Sequence, residues 1–407
     1  MARKRVIYQS EALFTTTTGL RDANGYPFVN PDATWADPRN NGGSTHWAYG
    51  DAKLAGRFWE TGVQLHRVTE ANYGFEIART DVNQFGQLAA IDRIILEQPT
   101  VTLDFTYYLM SGENERQLGF HTEGDASAIT QFLKGEGDVR NYFIYVASEG
   151  TDAVEAVSTL DAAGTSVAAN ANAKCIGLGN GTLTNYTVDA SVGEMPTASL
   201  TLECFNMRFY PDTTGQKPTI KPEDGTNLGG HFRLQAPDSG TGYACLRHGD
   251  ILVDVASKGI KGLVESDLKI QNFSLSLDLD REPIQKLGTK FNFSREMVFP
   301  ITPTLTMDAI MGDIQAGNLA DVVGGVDDDF NIDLTLNSPN AGVGASADRA
   351  IKFTFLGAKL DSQTFTSTIG DNKTVALAWS TQIGGSGDAA HNLRIQDGGA
   401  HDRIGDV

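Results

Sequence analysis

The sequence predicts a mainly β protein with two tandem β-sandwich or barrel domains, each carrying a short flanking helix. Glycine is abundant, with 44 of 407 residues, and threonine, serine, asparagine and aspartate are frequent, a mixture that favours strands and tight turns. Several segments alternate between apolar and polar residues, as strands with one buried face do. Some of these segments recur in the same order in the second half of the chain, which indicates a duplication.

Residues 1–64 are predicted to form an N-terminal arm or long loop. The stretch DANGYPFVNPDATWADPRNNGGSTHW contains three prolines and many turn residues but little periodicity. The chain starts with basic residues and lacks the apolar run of a secretory signal. No segment approaches 18 consecutive apolar residues, so we expect no membrane association through a spanning helix.

The first β domain is predicted over residues 65–210. Its clearest strand is VTLDFTYYL (Val101–Leu109), in which the apolar residues Val101, Leu103 and Phe105 alternate with polar residues. A short helix is predicted at Ala126–Leu133. The domain ends with a hairpin containing VGEMPTASLTL (Val192–Leu202), where Gly193 is expected to turn the chain.

A linker and loop region is predicted over residues 211–259, because PDTTGQKPTIKPED (Pro211–Asp224) holds three prolines. The second β domain follows at 260–385, with the alternating strand FSLSLDLD (Phe273–Asp280), a short helix at Asn318–Val323 and a closing hairpin. Residues 386–407 are predicted to be a polar C-terminal tail.

The two predicted domains share anchors in the same order. FEIAR (Phe75–Arg79) matches LDLDR (Leu277–Arg281) at an offset of 202, and PTVTLDF (Pro99–Phe105) matches PTLTMDA (Pro303–Ala309) at 204. The closing hairpins match at 177. Any two β sequences align somewhere by alternation alone, but shared glycines, shared prolines and collinear order favour a duplicated unit.

The chain lacks the motifs of the common enzyme and metal sites. Its seven histidines have no metal-ligand spacing. DDDFNID (Asp327–Asp333) lacks the glycine and the distant glutamate of a calcium loop, and GLGNGT (Gly177–Thr182) precedes a strand, so no helix N-terminus is available for a phosphate. Because no nucleophile and base are arranged together, we expect no catalytic residue, metal or cofactor and no enzymatic activity. The three cysteines indicate synthesis in a reducing compartment.

The net charge of −19 disfavours tight binding to nucleic acid, since affinity for a duplex depends on cations that release counterions. Acids also lie at matching places on the polar faces of the predicted strands of both domains. These pairs are Glu76 with Asp278, and Asp104 with Asp308. They are candidates either for the lining of an interior channel or for an outer solvated face.

Three segments resemble the major tail proteins of bacteriophages, which are the subunits of the tail tube. They are VDASVGEMPTASLTLECFN (188–206), IQNFSLSLDLDREPIQKLGTKFNFSREMVFPITPTLTMDA (270–309) and LGAKLDSQTFTSTIGDNKTVALAWSTQI (356–383). The likeness covers most of 65–385. It implies two tail-tube-like domains in one chain, and therefore a homotrimeric ring with quasi-sixfold geometry, with a ring of six subunits as the alternative.

The resemblance implies a structural virion protein that is made in the host cytoplasm. Rings would stack head to tail into a hollow tube, with exposed sheet edges as the joints between neighbours. The implied partners are further copies of the chain, the tail terminator, the baseplate or tip, and the tape measure protein. DNA would pass through without specific binding, and Glu76, Asp104, Asp278 and Asp308 would face the lumen.

The alternative function is a carbohydrate-binding β-sandwich module of a phage receptor-binding protein. Such a site needs an exposed aromatic platform, for which Tyr107 and Tyr108 are candidates. Adjacent strand residues face opposite sides of a sheet, however, so these two cannot form one platform. A hydrolase on a β scaffold is a third class, and no carboxylate pair in the sequence indicates it.

Overall fold

Strands dominate the computed structural model of the chain. The residues that it describes are 11–17, 59–122, 124–133, 139–147, 152–155, 158–160, 166–168, 173–216, 218, 231–234, 237, 245–256, 263, 268–285, 287–288, 292, 294–313, 329–338, 349–367, 372–384 and 390–397. The mainly β fold class predicted from the sequence is confirmed.

The described elements are two short α-helices, two 3₁₀ turns and a series of strands. The helices are α1 (Glu113–Leu118) and α2 (Thr130–Leu133). The strands are β1 (Glu11–Thr17), β2 (Trp59–Gln64), β3 (Val68–Glu76), β4 (Thr80–Val82), β5 (Asp92–Ile94), β6 (Thr100–Tyr108), β7 (Arg140–Val146), β8 (Ser158–Leu160), β9 (Ser166–Ala168), β10 (Lys174–Ser191), β11 (Thr197–Cys204), β12 (Asn206–Tyr210), β13 (Thr214–Gln216), β14 (His231–Leu234), β15 (Ile251–Ala256), β16 (Lys269–Asp278), β17 (Arg281–Ile284), β18 (Ser294–Met297), β19 (Thr304–Ile310), β20 (Phe330–Asn337), β21 (Arg349–Thr366), β22 (Thr374–Ser380) and β23 (Asn392–Asp397).

The chain divides into two compact units, and neither coincides with a predicted domain. The first unit consists of Met1–Leu65, Val139–Thr182 and Cys204–Ser239. The second consists of His66–Asp138, Leu183–Glu203 and Gly240–Val407. The division differs from the predicted boundaries because the 18-residue strand β10 contributes its first half to one unit and its second half to the other.

The first unit is built on one mixed sheet. Its strands follow the order β13, β14, β2, β1, β7, the first half of β10, and β12, and only the β14–β2 pair is parallel. Aromatic side chains fill its core, and the Phe143 and Phe232 rings stack with centroids 4.0 Å apart. The buried cluster includes Phe14, Phe143, Tyr145, Tyr210, Phe232 and Leu234.

The prediction of an arm or loop over residues 1–64 is wrong for two segments. All seven residues of β1 pair with β7, and β2 pairs with both β1 and β14. The threonine-rich segment EALFTTT has only a short alternating pattern, so its strand state depends on the partner β7, which lies far along the sequence. The other residues of the predicted arm lie outside the described part.

The second unit contains an eight-stranded antiparallel sheet, which we call the long sheet. Its order is β3, β6, β11, residues 183–191 of β10, β16, β19, β22 and residues 359–366 of β21. The apolar residues of the alternating strands are buried, among them Leu103, Phe105, Leu275, Leu305 and Trp379. The alternation read from the sequence therefore gave the correct buried face.

A second sheet of this unit has the order β15, β20, residues 349–358 of β21, and β23. β21 thus joins both sheets of the unit, and Gly357 has a φ of +64° near its middle. A Cβ at this position would lie 2.4 Å from the carbonyl oxygen of Ala390. Glycine is required there both by the backbone conformation and by the close approach of another chain segment.

Two further sequence predictions are corrected by these strands. The predicted linker 211–259 contains β13, β14 and β15, and the predicted polar tail 386–407 contains β23, which pairs with β21 over six residues. Prolines and polar residues indicated loops there, but pairing with distant strands stabilises the extended backbone.

Among the described residues, helical structure is limited to short segments. α2 covers the second half of the predicted helix Ala126–Leu133. α1 was not predicted. Gly119 caps its C-terminal end with a φ of +103°, and the Gly119 N–H donates to the Arg116 carbonyl. The helix predicted at Asn318–Val323 lies outside the described residues.

Candidate assembly surface

One face of the long sheet is polar along its whole width. The side chains on this face, which we call the polar face, are half-buried or exposed and mostly small, uncharged and hydroxylated. The members are Glu70, Asn72, Gly74, Glu76, Thr100, Thr102, Asp104, Thr106, Thr197, Ser199, Thr201, Glu203, Asn185, Thr187, Asp189, Ser191, Lys269, Asn272, Ser274, Ser276, Asp278, Thr304, Thr306, Asp308, Ile310, Thr374, Ala376, Ala378, Ser380, Lys359, Ser362, Thr364 and Thr366.

All four acids predicted from the sequence lie on the polar face, Asp104 half-buried and the others exposed. Asn272 donates to Asp308 over 3.0 Å, and Asn185 donates to Asp278 across the β10–β16 pair. Three more acids on the same face were missed, and they could have been found by extending the alternation in β3, β10 and β11. They are Glu70, Asp189 and Glu203.

The matching of Asp104 with Asp308 is wrong by two residues. The Leu109 N–H donates to Pro196, and the Met311 N–H donates to Lys373, so β6 and β19 correspond at an offset of 202, not 204. Asp104 then corresponds to Thr306. A shift of two keeps a residue on the same face of a strand, which is why both acids still lie on the polar face. Glu76 and Asp278 remain matched at 202.

The polar face carries seven carboxylates and two lysines, both at strand ends. Lys269 lies opposite Ile310 and Lys359 lies opposite Ser380. Lys359 forms an ion pair with Asp329. A surface of this kind repels phosphate groups and offers little counterion-release gain to a nucleic acid.

The middle of the long sheet is the pair formed by β10 and β16, which we call the internal joint. Its register runs from Asn185 opposite Asp278 to Ser191 opposite Asn272. Its apolar face is fully buried, with Tyr186, Val188, Leu275 and Leu277 each at 0% exposure. The predicted halves of the chain thus meet through ordinary antiparallel pairing.

The two edges of the long sheet are β3 and residues 359–366 of β21. Each has one strand neighbour among the described residues. Phe75 on β3 is 58% exposed and Phe365 on β21 is 47% exposed, and the Lys373 ammonium lies 5.3 Å from the Phe365 ring centroid. An edge with exposed aromatic residues is a template for pairing with another strand.

Two hairpins extend the strands of this sheet and expose apolar side chains. The β4–β5 hairpin lies between β3 and β6 and exposes Phe85 and Leu88 completely. The β17–β18 hairpin lies between β16 and β19 and exposes Leu287 completely. Exposed large apolar residues in a cluster indicate an interaction surface.

The candidates for other chemistry are not assembled into sites in the described residues. No group of histidine, cysteine, aspartate and glutamate there could hold a metal ion. Burial raises the pKa of the Cys175 thiol, so it is protonated at neutral pH. Tyr107 is 1% exposed and its hydroxyl donates to Glu115 over 2.7 Å, so it cannot serve in a sugar-binding platform.

No family model matches the chain. No curated protein matches it either. Among the described helices, none has the length and apolar character needed to span a bilayer.

Proposed function

We propose that this chain is a subunit of a phage tail tube that assembles as closed rings stacked into a hollow conduit for DNA. The observation that carries the proposal is the long sheet. It has a face on which seven carboxylates outnumber two lysines at strand ends, two edges with exposed aromatic residues, and an internal joint that pairs strands corresponding to those edges.

A duplicated tube domain is supported by the repeated strand order. Two sets of seven strands correspond in chain order, and the strands of each set pair with one another in the same way as their counterparts in the other set. The sets are β1, β3, β6, β7, β10, β11 and β12, and β15, β16, β19, β20, β21, β22 and β23. Register shifts also recur at corresponding places, between Val68 and Glu70 and between Ile270 and Asn272. Both long strands have 18 residues. Bulges at the same positions are not expected from alternation alone.

A ring of three copies is supported by the size of the channel that eight strands per copy would enclose. Three copies supply 24 strands, which at a spacing of about 4.8 Å form a barrel whose backbone diameter is at least about 37 Å. Side chains on both walls narrow the channel to about 27 Å. Two copies would leave only about 15 Å. A B-form duplex is about 20 Å wide, so three is the smallest ring that admits one.

The polar face suits the lining of such a channel. Short hydroxyl side chains keep the wall smooth, and the carboxylates repel the phosphates of a passing duplex. DNA would then move through without being held, because the seven carboxylates outnumber the two lysines on the face and few cations are available to replace its counterions. Glu76, Asp104, Asp278 and Asp308 are the lumen-facing acids in this proposal, together with Glu70, Asp189 and Glu203.

Stacking of rings is assigned to the exposed hairpins. A ring with different upper and lower surfaces stacks through heterologous contacts, which produce an open filament. The β4–β5 and β17–β18 hairpins would bury Phe85, Leu88 and Leu287 against the next ring. The tail terminator, the baseplate or tip and the tape measure protein are the further partners that such a virion tube needs.

Electron microscopy of the purified full-length chain tests this function. The expected result is rings or tubes with a central channel, increasing with protein concentration and with salts that strengthen apolar burial. A chain that stays monomeric at high concentration, also with its tail-assembly partners added, would contradict the proposal. Binding to a glycan array without assembly would favour the carbohydrate-binding alternative.

A further inference from the structure

We propose that a second copy of this chain adds its β3 to residues 359–366 of β21 in the register that β16 adopts on β10. The inference rests on the proposed ring and names the residues that meet at each joint between subunits. It follows from two correspondences within the chain: β21 corresponds to β10, and β3 corresponds to β16.

The offsets of both correspondences follow from backbone pairing. Gly181 pairs with Arg140 at a register shift in β10, and Ala358 pairs with Phe330 at a register shift in β21, so these strands correspond at 177. The shifts at Val68–Glu70 and Ile270–Asn272 give 202 for β3 and β16.

Applying these offsets to the internal joint gives the register between subunits. Asn185 opposite Asp278 becomes Ser362 opposite Glu76 of the second copy. By the same rule, Thr366 lies opposite Asn72. Five residue pairs form between residues 362–366 and residues 72–76 of the second copy, compared with seven between β19 and β22 and eight between β3 and β6.

The exposed apolar residues on the edges are those that this register would bury. Val188 and Leu275 are opposite each other and buried in the internal joint; their counterparts are Phe365, which is 47% exposed, and Tyr73, which is half-buried. Leu277 is likewise buried, and its counterpart Phe75 is 58% exposed. An edge that met only solvent would gain nothing from aromatic residues at these positions.

The backbone pattern of the internal joint also fixes which pairs suit a disulfide. The Val192 N–H donates to Gln271 over 2.9 Å and the Leu279 N–H donates to Thr184 over 2.8 Å. Asn185 and Asp278 are one residue away and form a non-hydrogen-bonded pair, in which Cα atoms lie about 4.5 Å apart. That spacing allows a disulfide, so the corresponding pairs Ser362–Glu76 and Thr366–Asn72 should accept one.

Four double-cysteine variants in a Cys245→Ser background test the register. Two are in register, S362C with E76C and T366C with N72C. Two are crossed with the same four sites, S362C with N72C and T366C with E76C, and would place the thiols about 13 Å apart along the strand. All four change exposed side chains, and each variant is first checked for rings by electron microscopy under reducing conditions.

On mild oxidation the in-register variants are expected to form covalent dimers and closed trimers, with at least tenfold more cross-linked product than the crossed variants. Equal or greater linkage of the crossed variants, or no linkage of any variant although rings are visible, would overturn the proposed register while leaving the tube function standing. Absence of rings in the reduced parent protein would instead count against the tube function itself.

Discussion

Gln363→Pro is expected to prevent ring closure while leaving the folded subunit intact. Gln363 corresponds to Tyr186 in the internal joint. The Thr184 carbonyl accepts from the Leu279 N–H, and the Val192 N–H donates to Gln271. Every second residue of β10 between Thr184 and Val192, including Tyr186, therefore points its N–H towards β16. The Gln363 N–H therefore points to the open edge of β21. Proline on an edge strand removes only that donor, and its ring obstructs an approaching strand.

The expected effect is at least a tenfold rise in the protein concentration at which rings form, measured by light scattering and electron microscopy. Gln363→Ala is the matched control, because it shortens the same side chain but keeps the N–H. Rings forming equally well in the proline and alanine variants would show that this edge is not a joint. Unchanged tryptophan fluorescence, which reports on the buried Trp379 in the same sheet, verifies the fold.

The stability of the second unit is expected to fall as the pH rises from 5 to 8, because of Glu115. This residue of α1 is fully buried, and its Oε1 accepts hydrogen bonds from Tyr107 over 2.7 Å and from Tyr186 over 3.1 Å. No donor among the described residues reaches Oε2. Burial raises the pKa of Glu115 from its usual 4.5 to about 7, while the tyrosine hydroxyls lower it and Asp397 adds to the rise.

A carboxyl whose pKa is raised on folding stabilises the folded state fully below its unfolded pKa of 4.5, and this stabilisation is lost as the pH rises through about 7. The loss is about 2 to 3 kcal/mol between pH 5 and pH 8. In the Glu115→Gln variant the side chain keeps its shape but cannot ionise. The free energy of unfolding of this variant should therefore lack the loss that the wild-type protein shows between pH 5 and pH 8.

Urea unfolding below the assembly concentration, followed by tryptophan fluorescence at several pH values, measures the difference between wild type and variant. Glu113→Gln is the control, since this neighbour on α1 reaches solvent and pairs with Arg116. If the free energy of unfolding changed with pH equally in wild type and Glu115→Gln, Glu115 could not be the carboxyl responsible for the pH dependence.

Much of the long sheet could be predicted from the sequence, because its strands alternate and have one solvated face. The alternation of FSLSLDLD and VTLDFTYYL placed Leu275, Leu277 and Phe105 in the core and Asp104 and Asp278 outside. The turn at Gly193, with a φ of +93°, was also predicted. Gly370, the counterpart in the second hairpin, lies outside the described residues.

Other features depend on partners that are distant in the sequence. β1 and β23 are short strands stabilised by β7 and β21, and neither has a pattern strong enough to be recognised alone. The internal joint pairs residues about 90 positions apart, so no local pattern could reveal that the two halves share a sheet. Burial of Glu115 could not be predicted either, because a charged residue in a helix normally faces solvent.

The number of subunits around the channel tests the central proposal most directly. Two-dimensional class averages of end-on rings from the purified chain are expected to show three copies, six similar lobes and a channel wider than a DNA duplex. Rings of six copies would contradict the proposal that one chain supplies two tube domains, and a solid or absent channel would contradict its role as a conduit.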